Sequence, residues 1–522
     1  LLRAAPEILP SWIRARVVVG TRADALCALH FPRSAAEPRV ARRRLAFEEL
    51  LVLQLGLLAV RRHEEVARRA LPLPRAGELP GRVRDALPFT LTGEQERVSR
   101  QIARDLARER PMRRLLQGEV GAGKTVVAAL ACAQAVEAGT QAAILVPTET
   151  LAEQHLRTLD ALLAPAGIAP VLITGNVPRA ERDRREMEVA TGTAQVVVGT
   201  QALLVGGVRF PRLGLVIVDE QHRFGVEQRQ ALAERAGGDA ESAHLLYMTA
   251  TPIPRTLALT AYGDLRVSSI RGRPPGRSDI ATRWVREQDR EAAYEEIRAE
   301  LRRGRQAYVI CPLVTENEAG TPARSAVEEA QRLATGPFRD FRVGLAHGAQ
   351  RPDERRAAMA AFAAGESDLL VATTVVEVGI DVPNATVMVI EDADRFGLAQ
   401  LHQLRGRVGR GEHPGRCLVF AEPSAEDGTR RLEALVQTGD GFRLADIDLD
   451  IRGEGSIMGL RQSGPTDLRF ARLSRDRRLL AQARRIAKVT LERDPRLDDP
   501  QHVLLGAAVR DAFPDVPRLL DA

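Results

Sequence analysis

Lysine is almost absent from this 522-residue sequence: of 75 lysine and arginine residues, only Lys124 and Lys488 are lysines. A lysine in so arginine-rich a chain calls for a chemical explanation. Cysteine is also scarce, and the four cysteines form neither a CxxC pair nor a Cys/His cluster at zinc spacing, which predicts reduced thiols. Aromatic residues make up 4% of the chain, so any nucleic-acid binding should rely on phosphate contacts rather than on stacked bases.

Long apolar runs are lacking as well. The most apolar segment, residues 50–60, is interrupted by Gln54 and is shorter than the roughly 20 residues of a membrane span. It predicts a buried helix, and we expect no membrane partner. The content of 44% hydrophobic and 28% charged residues is ordinary for a globular protein. The length predicts about three to five domains.

Periodicity divides the chain into regions. Residues 40–70 carry apolar positions at helical spacing, which predicts one long amphipathic helix. The proline-rich stretch 71–88 predicts a connector, with a domain boundary near residue 85. Beyond it, two series of short aliphatic runs alternate with helical stretches. The runs of the first series are 142–147, 194–199, 215–219 and 244–249, and those of the second are 307–312, 343–348, 369–373 and 387–391.

Nearly continuous apolar strands between helices indicate parallel sheets covered on both faces. The predicted fold class is α/β, with two tandem parallel-sheet domains, an amino-terminal helical connector and a carboxyl-terminal helical region. The predicted domains are residues 1–85, 86–275, 276–430 and 431–522.

The segment GEVGAGKT at residues 118–125 fits the phosphate-loop pattern GxxxxGK[ST]. Glycines let backbone N–H groups surround phosphates at a helix amino terminus, the lysine contacts the β- and γ-phosphates, and the hydroxyl binds Mg²⁺. The compact ammonium explains why Lys124 is retained, since the planar guanidinium of arginine is a poor replacement. The pattern predicts ATP and Mg²⁺ as cofactors, bound by Gly118, Gly121, Gly123, Lys124 and Thr125.

A second acidic motif, DEQH, follows the apolar run 215–218. A carboxylate at the end of a strand can hold Mg²⁺, and the next carboxylate can orient or deprotonate the attacking water. We assign Asp219 to the metal and Glu220 to the base. A charged loop after a strand is the alternative, and the phosphate loop upstream in this order disfavours it.

Two further patterns extend the predicted nucleotide site. Gln95 could pair with the edge of adenine and Phe89 could stack on its face, although a surface glutamine and a core phenylalanine explain this pattern equally well. In the second half, Gln403, Arg407 and Arg410 form a QxxGRxGR-like segment. Two guanidinium groups across an interdomain cleft can neutralise charge on the γ-phosphoryl group, so that domain closure completes the site.

Taken in order, these motifs resemble those of superfamily 2 helicases with two RecA-like domains. The resemblance adds PTETL at 147–151, GTQAL at 199–203, TATPIP at 249–254 and TTVVEVGIDVP at 373–383. TATPIP resembles the third motif of the superfamily, and residues 403–410 resemble the sixth. Within the superfamily, LLQGEVGAGKTVVA, DEQHRFGVEQ and TATPIPRTLA closely resemble the RecG family of branched-DNA helicases. Residues 440–464 resemble the translocation element that this family shares with the transcription-repair coupling factor Mfd.

The resemblance implies further site residues and partners. It implies DNA contacts or coupling roles for Thr148, Thr200, Gln201, Thr249, Thr251, Thr373, Gly379, Asp381, Arg461 and Gln462. It also implies branched or forked duplex DNA as partner, a single-stranded DNA-binding protein as a candidate partner, a monomer, and a bacterial cytoplasmic, nucleoid-associated location.

Three alternatives stay open. One is an Mfd-like translocase module, and another is a scaffold that binds ATP and branched DNA without hydrolysis. The arginine-rich surface could also reflect genome composition rather than a DNA track. In the RecG family an OB-fold wedge precedes the connector, and no such β-rich segment occurs in the sequence given, which begins with leucine. We expect a truncation or a gene model that starts late.

Overall fold

The computed structural model describes residues 2–67, 69–74, 77–200, 203, 208–220, 242–252, 254, 265–272, 280–312, 326–374, 382–452, 468–473 and 475–513. Within these ranges no helix is both long enough and apolar enough to cross a membrane. The helices are α1 Ser11–Val17, α2 Arg22–His30, α3 Glu37–Ala67, α4 Glu78–Asp85, α5 Gly93–Leu106, α6 Lys124–Glu137, α7 Glu149–Leu163, α8 Arg179–Ala190, α9 Arg290–Arg302, α10 Ala326–Thr335, α11 Pro352–Ala363, α12 Leu398–Arg405, α13 Glu426–Gln437, α14 Gly441–Arg452, α15 Arg477–Arg493 and α16 Val503–Ala512.

The first lobe is built on a parallel sheet of seven described strands in the order β3-β4-β2-β5-β6-β1-β7. Its strands are β1 Arg113–Gly118, β2 Gln141–Leu145, β3 Pro170–Ile173, β4 Val196–Gly199, β5 Leu213–Val218, β6 His244–Thr249 and β7 Arg266–Ile270. The central strands β2, β4, β5 and β6 are buried along their whole length, because helices or loops cover both faces. Their carboxyl ends therefore form one edge where loop residues meet.

The second lobe repeats this arrangement with a parallel sheet of six described strands in the order β10-β11-β9-β12-β13-β8. Its strands are β8 Ala281–Val285, β9 Gln306–Ile310, β10 Val343–Ala346, β11 Leu369–Ala372, β12 Ala385–Ile390 and β13 Arg416–Phe420. The predicted class of two tandem α/β domains with parallel sheets is thus confirmed, and the apolar runs singled out in the sequence lie on its strands.

A third apolar core joins the two ends of the chain. It packs α1 and α3 against α15 and α16, with Leu50 of α3 and Leu480 of α15 fully buried. The predicted long helix is confirmed as α3, and the apolar run 50–60 is buried in it. Gly56 allows this packing, since a Cβ there would collide with the ring of Phe513. The helical connector and the carboxyl-terminal helices therefore share one core.

The chain between α3 and the first sheet packs on that sheet. Leu73 and Val83, the latter on α4, are fully buried in the same core as α5 and α6. The boundary at residue 85 stays a prediction, and so do the other domain limits.

Candidate nucleotide-binding site

The phosphate loop connects β1 to α6 at the carboxyl edge of the first sheet. Gly121 and Gly123 have φ angles of 78° and 83°, a left-handed conformation that favours glycine. A Cβ at Gly123 would collide with the amide nitrogen of Gln95. Thr125 follows in the first turn of α6, whose free N–H groups point towards the loop. The sequence at 118–125 therefore forms a loop that can surround phosphates at a helix amino terminus.

Lys124 closes this loop on itself. Its ammonium donates hydrogen bonds to the carbonyl oxygens of Gly118, at 2.8 Å, and Glu119, at 3.0 Å. Burial lowers the pKa of Lys124, and the charge of Arg410 from the other lobe lowers it further, while the carboxylates of Asp219, Glu220 and Glu119 act in the opposite direction. Charged groups of both lobes thus act on the Lys124 ammonium.

Asp219 is held by a histidine that the sequence motifs did not single out. The Oδ2 atom of Asp219 lies 2.9 Å from Nε2 of His155 on α7, and both side chains are buried. Burial raises the pKa of Asp219, but the hydrogen bond and charge of His155, with the charge of Lys124, lower it more, so that the net pKa is lowered. Asp219 is therefore favoured as a carboxylate, the form that binds a metal ion.

Glu220 has an unusual backbone conformation, with φ of 50° although it carries a side chain. Its N–H donates a 3.0 Å hydrogen bond to Oδ1 of Asp219. Left-handed conformations at residues other than glycine cost energy and often occur at functional sites. The peptide between the two predicted catalytic carboxylates is thus fixed by Asp219 itself.

The two predicted adenine contacts are placed differently from each other. Phe89 is 48% exposed and lines an open cavity of about 390 Å³, whereas Gln95 is buried. The amide oxygen of Gln95 accepts from the N–H of Thr92 in a capping box, and its nitrogen donates to the carbonyl oxygen of Ala122. Paired hydrogen bonds from Gln95 to adenine would require these contacts to be exchanged. Gln95 supports the phosphate loop in this structure.

The lobes meet through the third and sixth motifs. The amide of Gln403 on α12 donates a 2.8 Å hydrogen bond to the hydroxyl of Thr251. The Thr249 hydroxyl in turn accepts from the N–H of Thr251, at 3.1 Å. Gln403, predicted to bind the nucleotide, therefore joins the second lobe to the loop after β6.

Three arginines of the sixth motif have different environments. Arg405 is buried and donates to the carbonyl oxygens of Leu435 and Thr438, at 2.8 and 3.0 Å, which ties α12 to the end of α13. Arg407 and Arg410 are half-buried. Gly406 lies in the chain between α12 and Arg407. A Cβ on Gly406 would lie 3.6 Å from Cβ of Val120 in the phosphate loop. The segment with Arg407 and Arg410 therefore begins against the phosphate loop of the other lobe.

Glu119 makes a second contact between the lobes that sequence reasoning missed. Its Oε1 accepts a 2.7 Å hydrogen bond from the N–H of Gly441, the first residue of α14. The same oxygen lies 3.9 Å from Nε2 of His402. A Cβ at Gly441 would collide with the His402 ring, so only glycine fits at this junction. The second residue of the phosphate loop thus contacts the start of the predicted translocation element.

Apart from Thr249 and Thr251 in and after β6, the residues predicted to contact DNA or couple it to the nucleotide divide into three groups. Thr148 and Thr200 follow the adjacent parallel strands β2 and β4, and so lie on one edge of the sheet. The Thr148 hydroxyl caps α7 by accepting from the N–H of Leu151, at 3.4 Å. The Thr373 hydroxyl, at the corresponding edge of the second sheet, is buried without a hydrogen-bond partner among the described residues. Those outside the described residues are Gln201, Gly379, Asp381, Arg461 and Gln462.

Family models cover most of the chain. A DEAD/DEAH box helicase model matches residues 92–260, and a helicase conserved C-terminal domain model matches 289–412. A model described as "ATP-dependent DNA helicase RecG, domain 3, C-terminal" matches 438–512. Proteins named ATP-dependent DNA helicase RecG are 43% identical in Streptococcus pneumoniae, where 95% of this chain aligns with 73% of the relative, and 42% identical in Bacillus subtilis, where 96% aligns with 73%. The chain belongs to the RecG family.

A solved RecG structure, described as bound to a three-way DNA junction, agrees with this membership. It is 40% identical, has a TM-score of 0.72, and aligns with 92% of this chain and 62% of its own. The RecG of Synechocystis is 45% identical over 94% of this chain and 58% of its own length. The chain thus spans about three fifths to three quarters of the length of these RecG relatives.

Proposed function

We propose that this chain is a DNA-stimulated ATPase that moves along duplex DNA and remodels branched DNA such as stalled replication forks and Holliday junctions. Family membership supports the reaction, and the three-way DNA junction bound by the solved RecG supports the substrate. The observation that carries the proposal is the junction between the lobes, where the phosphate loop lies against the sixth motif and α14. Nucleotide between the lobes would therefore act on both at once.

In this proposal the first lobe binds the nucleotide. Lys124 contacts the phosphates once they replace its bonds to the loop carbonyls. The Thr125 hydroxyl and the Asp219 carboxylate would hold Mg²⁺, and they fit it because the ion prefers oxygen ligands and usually takes one or two from the protein beside those of the phosphates. When bound, Mg²⁺ neutralises charge on the phosphate oxygens. His155 orients Asp219 from behind.

Hydrolysis then uses groups from both lobes. Glu220 orients the attacking water or accepts its proton. Arg407 and Arg410 stabilise charge on the γ-phosphoryl group, and Phe89 provides a face on which the base can stack. The Gln403–Thr251 bond joins the lobes beside these groups.

Movement along DNA requires a track on both lobes. Thr148, Thr200 and Gln201 on the first lobe, and Thr373, Gly379 and Asp381 on the second, would contact the sugar-phosphate backbone or couple it to the nucleotide, without reading sequence. Arg461 and Gln462 of the translocation element would contact the duplex. With this substrate, the protein would act as a monomer in the bacterial cytoplasm at the nucleoid, and a single-stranded DNA-binding protein is a candidate partner.

The test is ATP turnover by the 522-residue chain with forked DNA, linear duplex or no DNA. We expect DNA, and forks most of all, to raise the rate. Lys124→Ala should abolish turnover, and Glu220→Gln should bind ATP yet hydrolyse it about 10² to 10⁴ times more slowly. Lys488→Ala is the matched control and should behave as the parent. It replaces the other lysine of the chain, which is exposed on α15.

Two results would overturn the proposal. Turnover that DNA does not change would remove the DNA-driven motor, and ATP binding without turnover would favour a scaffold instead. An Mfd-like module would be favoured if the chain moved along duplex DNA without preference for branched substrates.

A further inference from the structure

A carboxylate on the long helix α3 gathers three consecutive backbone N–H groups. Oε1 of Glu49 accepts from Arg469 at 2.9 Å, and Oε2 accepts from Phe470 at 2.9 Å and from Ala471 at 2.8 Å. Hydrogen bonds to an ionised acceptor are shorter and stronger than those between neutral groups. One side chain therefore fixes the position and orientation of three successive peptide groups.

A second residue of α3 holds the same stretch. Arg42 donates to the carbonyl oxygen of Phe470 at 2.8 Å and makes a two-pronged pair with Asp476, at 2.8 and 2.9 Å. Asp476 also accepts from the N–H of Arg472, at 2.8 Å. Residues 469–471 and Asp476 are thus attached to α3 through the side chains of Glu49 and Arg42. We call Glu49 and Arg42 with these contacts the α3 anchor.

The α3 anchor lies close in sequence to the predicted translocation element. Its first bonded residue, Arg469, comes five residues after residues 440–464, the predicted translocation element, of which the structure describes 440–452. The start of that element is held at the phosphate loop by the Gly441–Glu119 bond. Within α14, Asp446 accepts a 2.8 Å bond from Arg477, the first residue of α15. The chain is therefore held at the nucleotide site where the element begins, and at α3 a few residues beyond the element.

The α3 anchor is not the main link between these helices. The apolar core shared by α1, α3, α15 and α16 already joins α3 to α15 through fully buried side chains such as Leu50 and Leu480. Glu49 is only half-buried, at the rim of that core. Its three hydrogen bonds act on the backbone that leaves the element, and this points to positioning rather than to folding.

We propose that Glu49 is a positioning residue for ATP-driven movement on DNA, because it fixes the carboxyl-terminal attachment of the translocation element to α3. The inference rests on the proposed function. Displacement of one end of a segment moves its middle in a defined direction only if the other end is held. Without the three bonds, movement at Gly441 would be absorbed by residues 469–471, and hydrolysis would produce less movement along DNA.

The test compares Glu49→Ala and Glu49→Gln with the parent for DNA-stimulated ATPase, displacement of a triplex strand, and Tm. Glu37→Ala is the matched control, because Glu37 is a glutamate of the same helix that accepts one backbone N–H, from Arg33, far from the element. We expect Glu49→Ala to keep ATPase within about twofold and to displace roughly tenfold less strand per ATP, since small misplacements of working groups have large effects on rate. Glu49→Gln, with one acceptor oxygen left, should lie between, and Glu37→Ala should match the parent.

Three outcomes are decisive. Unchanged displacement per ATP in Glu49→Ala would overturn the inference, and so would a proportional loss of ATPase and displacement in both Glu49 variants. If Glu49→Ala shows no cooperative melting transition, the amount of strand displaced per ATP is measured in Glu49→Gln instead and judged by the same criterion. A parent without DNA-stimulated ATPase would instead overturn the proposed function, on which the inference depends.

Discussion

The imidazole of His155 lies 2.9 Å from the carboxylate of Asp219, Nε2 to Oδ2, in a buried environment. A partner behind a metal-binding carboxylate fixes its orientation, and loss of such partners typically weakens metal affinity about 10- to 100-fold. The pair therefore makes α7 part of the proposed nucleotide site.

We expect His155→Ala to raise the Mg²⁺ concentration needed for half-maximal ATP turnover about tenfold or more. The measurement is ATPase against Mg²⁺ at fixed ATP. Arg157→Ala, an exposed position on the same helix, is the control. An unchanged Mg²⁺ dependence in His155→Ala would show that the contact does not serve the metal.

The arginines of the sixth motif should separate into two kinds. Arg407→Lys and Arg410→Lys keep the charge but lose the planar fork, so we expect turnover to fall by about 10²-fold or more while Tm is unchanged. Arg405→Lys should lower Tm, because Arg405 holds the carbonyl oxygens of Leu435 and Thr438. Parental turnover in both Arg407→Lys and Arg410→Lys would place the arginine finger elsewhere.

The Thr251–Gln403 bond should appear as a coupling energy. In a double-mutant cycle with Thr251→Val and Gln403→Ala, the effects on turnover should be non-additive by about 0.5 to 3 kcal/mol, as for residues in contact. Gln400→Ala replaces a glutamine of the same helix that bonds within its own lobe, to the N–H of Gly397, so its effect should add to that of Thr251→Val. Additive effects of Thr251 and Gln403 would mean that the lobes do not communicate through this bond.

The Arg42–Asp476 pair should make part of the stability dependent on pH. Burial raises the pKa of Asp476, but its bonds to Arg42 and to the N–H of Arg472 lower it more, so that the net pKa lies below its ordinary value of 3.8. A depressed carboxyl pKa contributes stability above the unfolded-state pKa, and this contribution is lost as pH falls through the folded-state pKa.

Arg42→Ala should therefore lower the free energy of unfolding by roughly 2 kcal/mol at neutral pH. The deficit should shrink as the pH falls below about 4. Denaturant unfolding at several pH values measures it, with the exposed Arg39→Ala on the same helix as control. A deficit that is constant down to acid pH would separate the stabilisation from ionisation of Asp476.

The fold and the conformation of the glycine-rich loop could be predicted because they depend on local patterns. Buried strands such as Val196–Gly199 are apolar throughout, and the glycines around Lys124 meet a backbone requirement that few other sequences satisfy. His155, Glu119 and Glu49 could not be predicted in this way. Their partners lie 64, 322 and 420 to 422 residues away in sequence, and a lone histidine or glutamate on a helix or loop has no pattern that points to a distant partner.

Local patterns also left the roles of single residues open. Gln95 matched an adenine-binding pattern, yet its amide bonds Thr92 and Ala122, because a glutamine at the third position of a helix also completes a capping box. Similarly, the spacing of Arg405, Arg407 and Arg410 does not reveal which of them faces carbonyl groups of its own lobe. Only the packing of α12 on α13 separates Arg405 from the other two.

Glu119 belongs to the phosphate loop by its main chain and to α14 by its side chain: its carbonyl oxygen accepts from Lys124 and its carboxylate accepts from Gly441. Phosphates that draw Lys124 away thus change the surroundings of the residue that holds α14. Linkage is reciprocal: if ATP changes the affinity of the element for DNA by some factor, DNA changes the affinity for ATP by the same factor. DNA binding would then affect the nucleotide site as strongly as nucleotide binding affects the affinity for DNA.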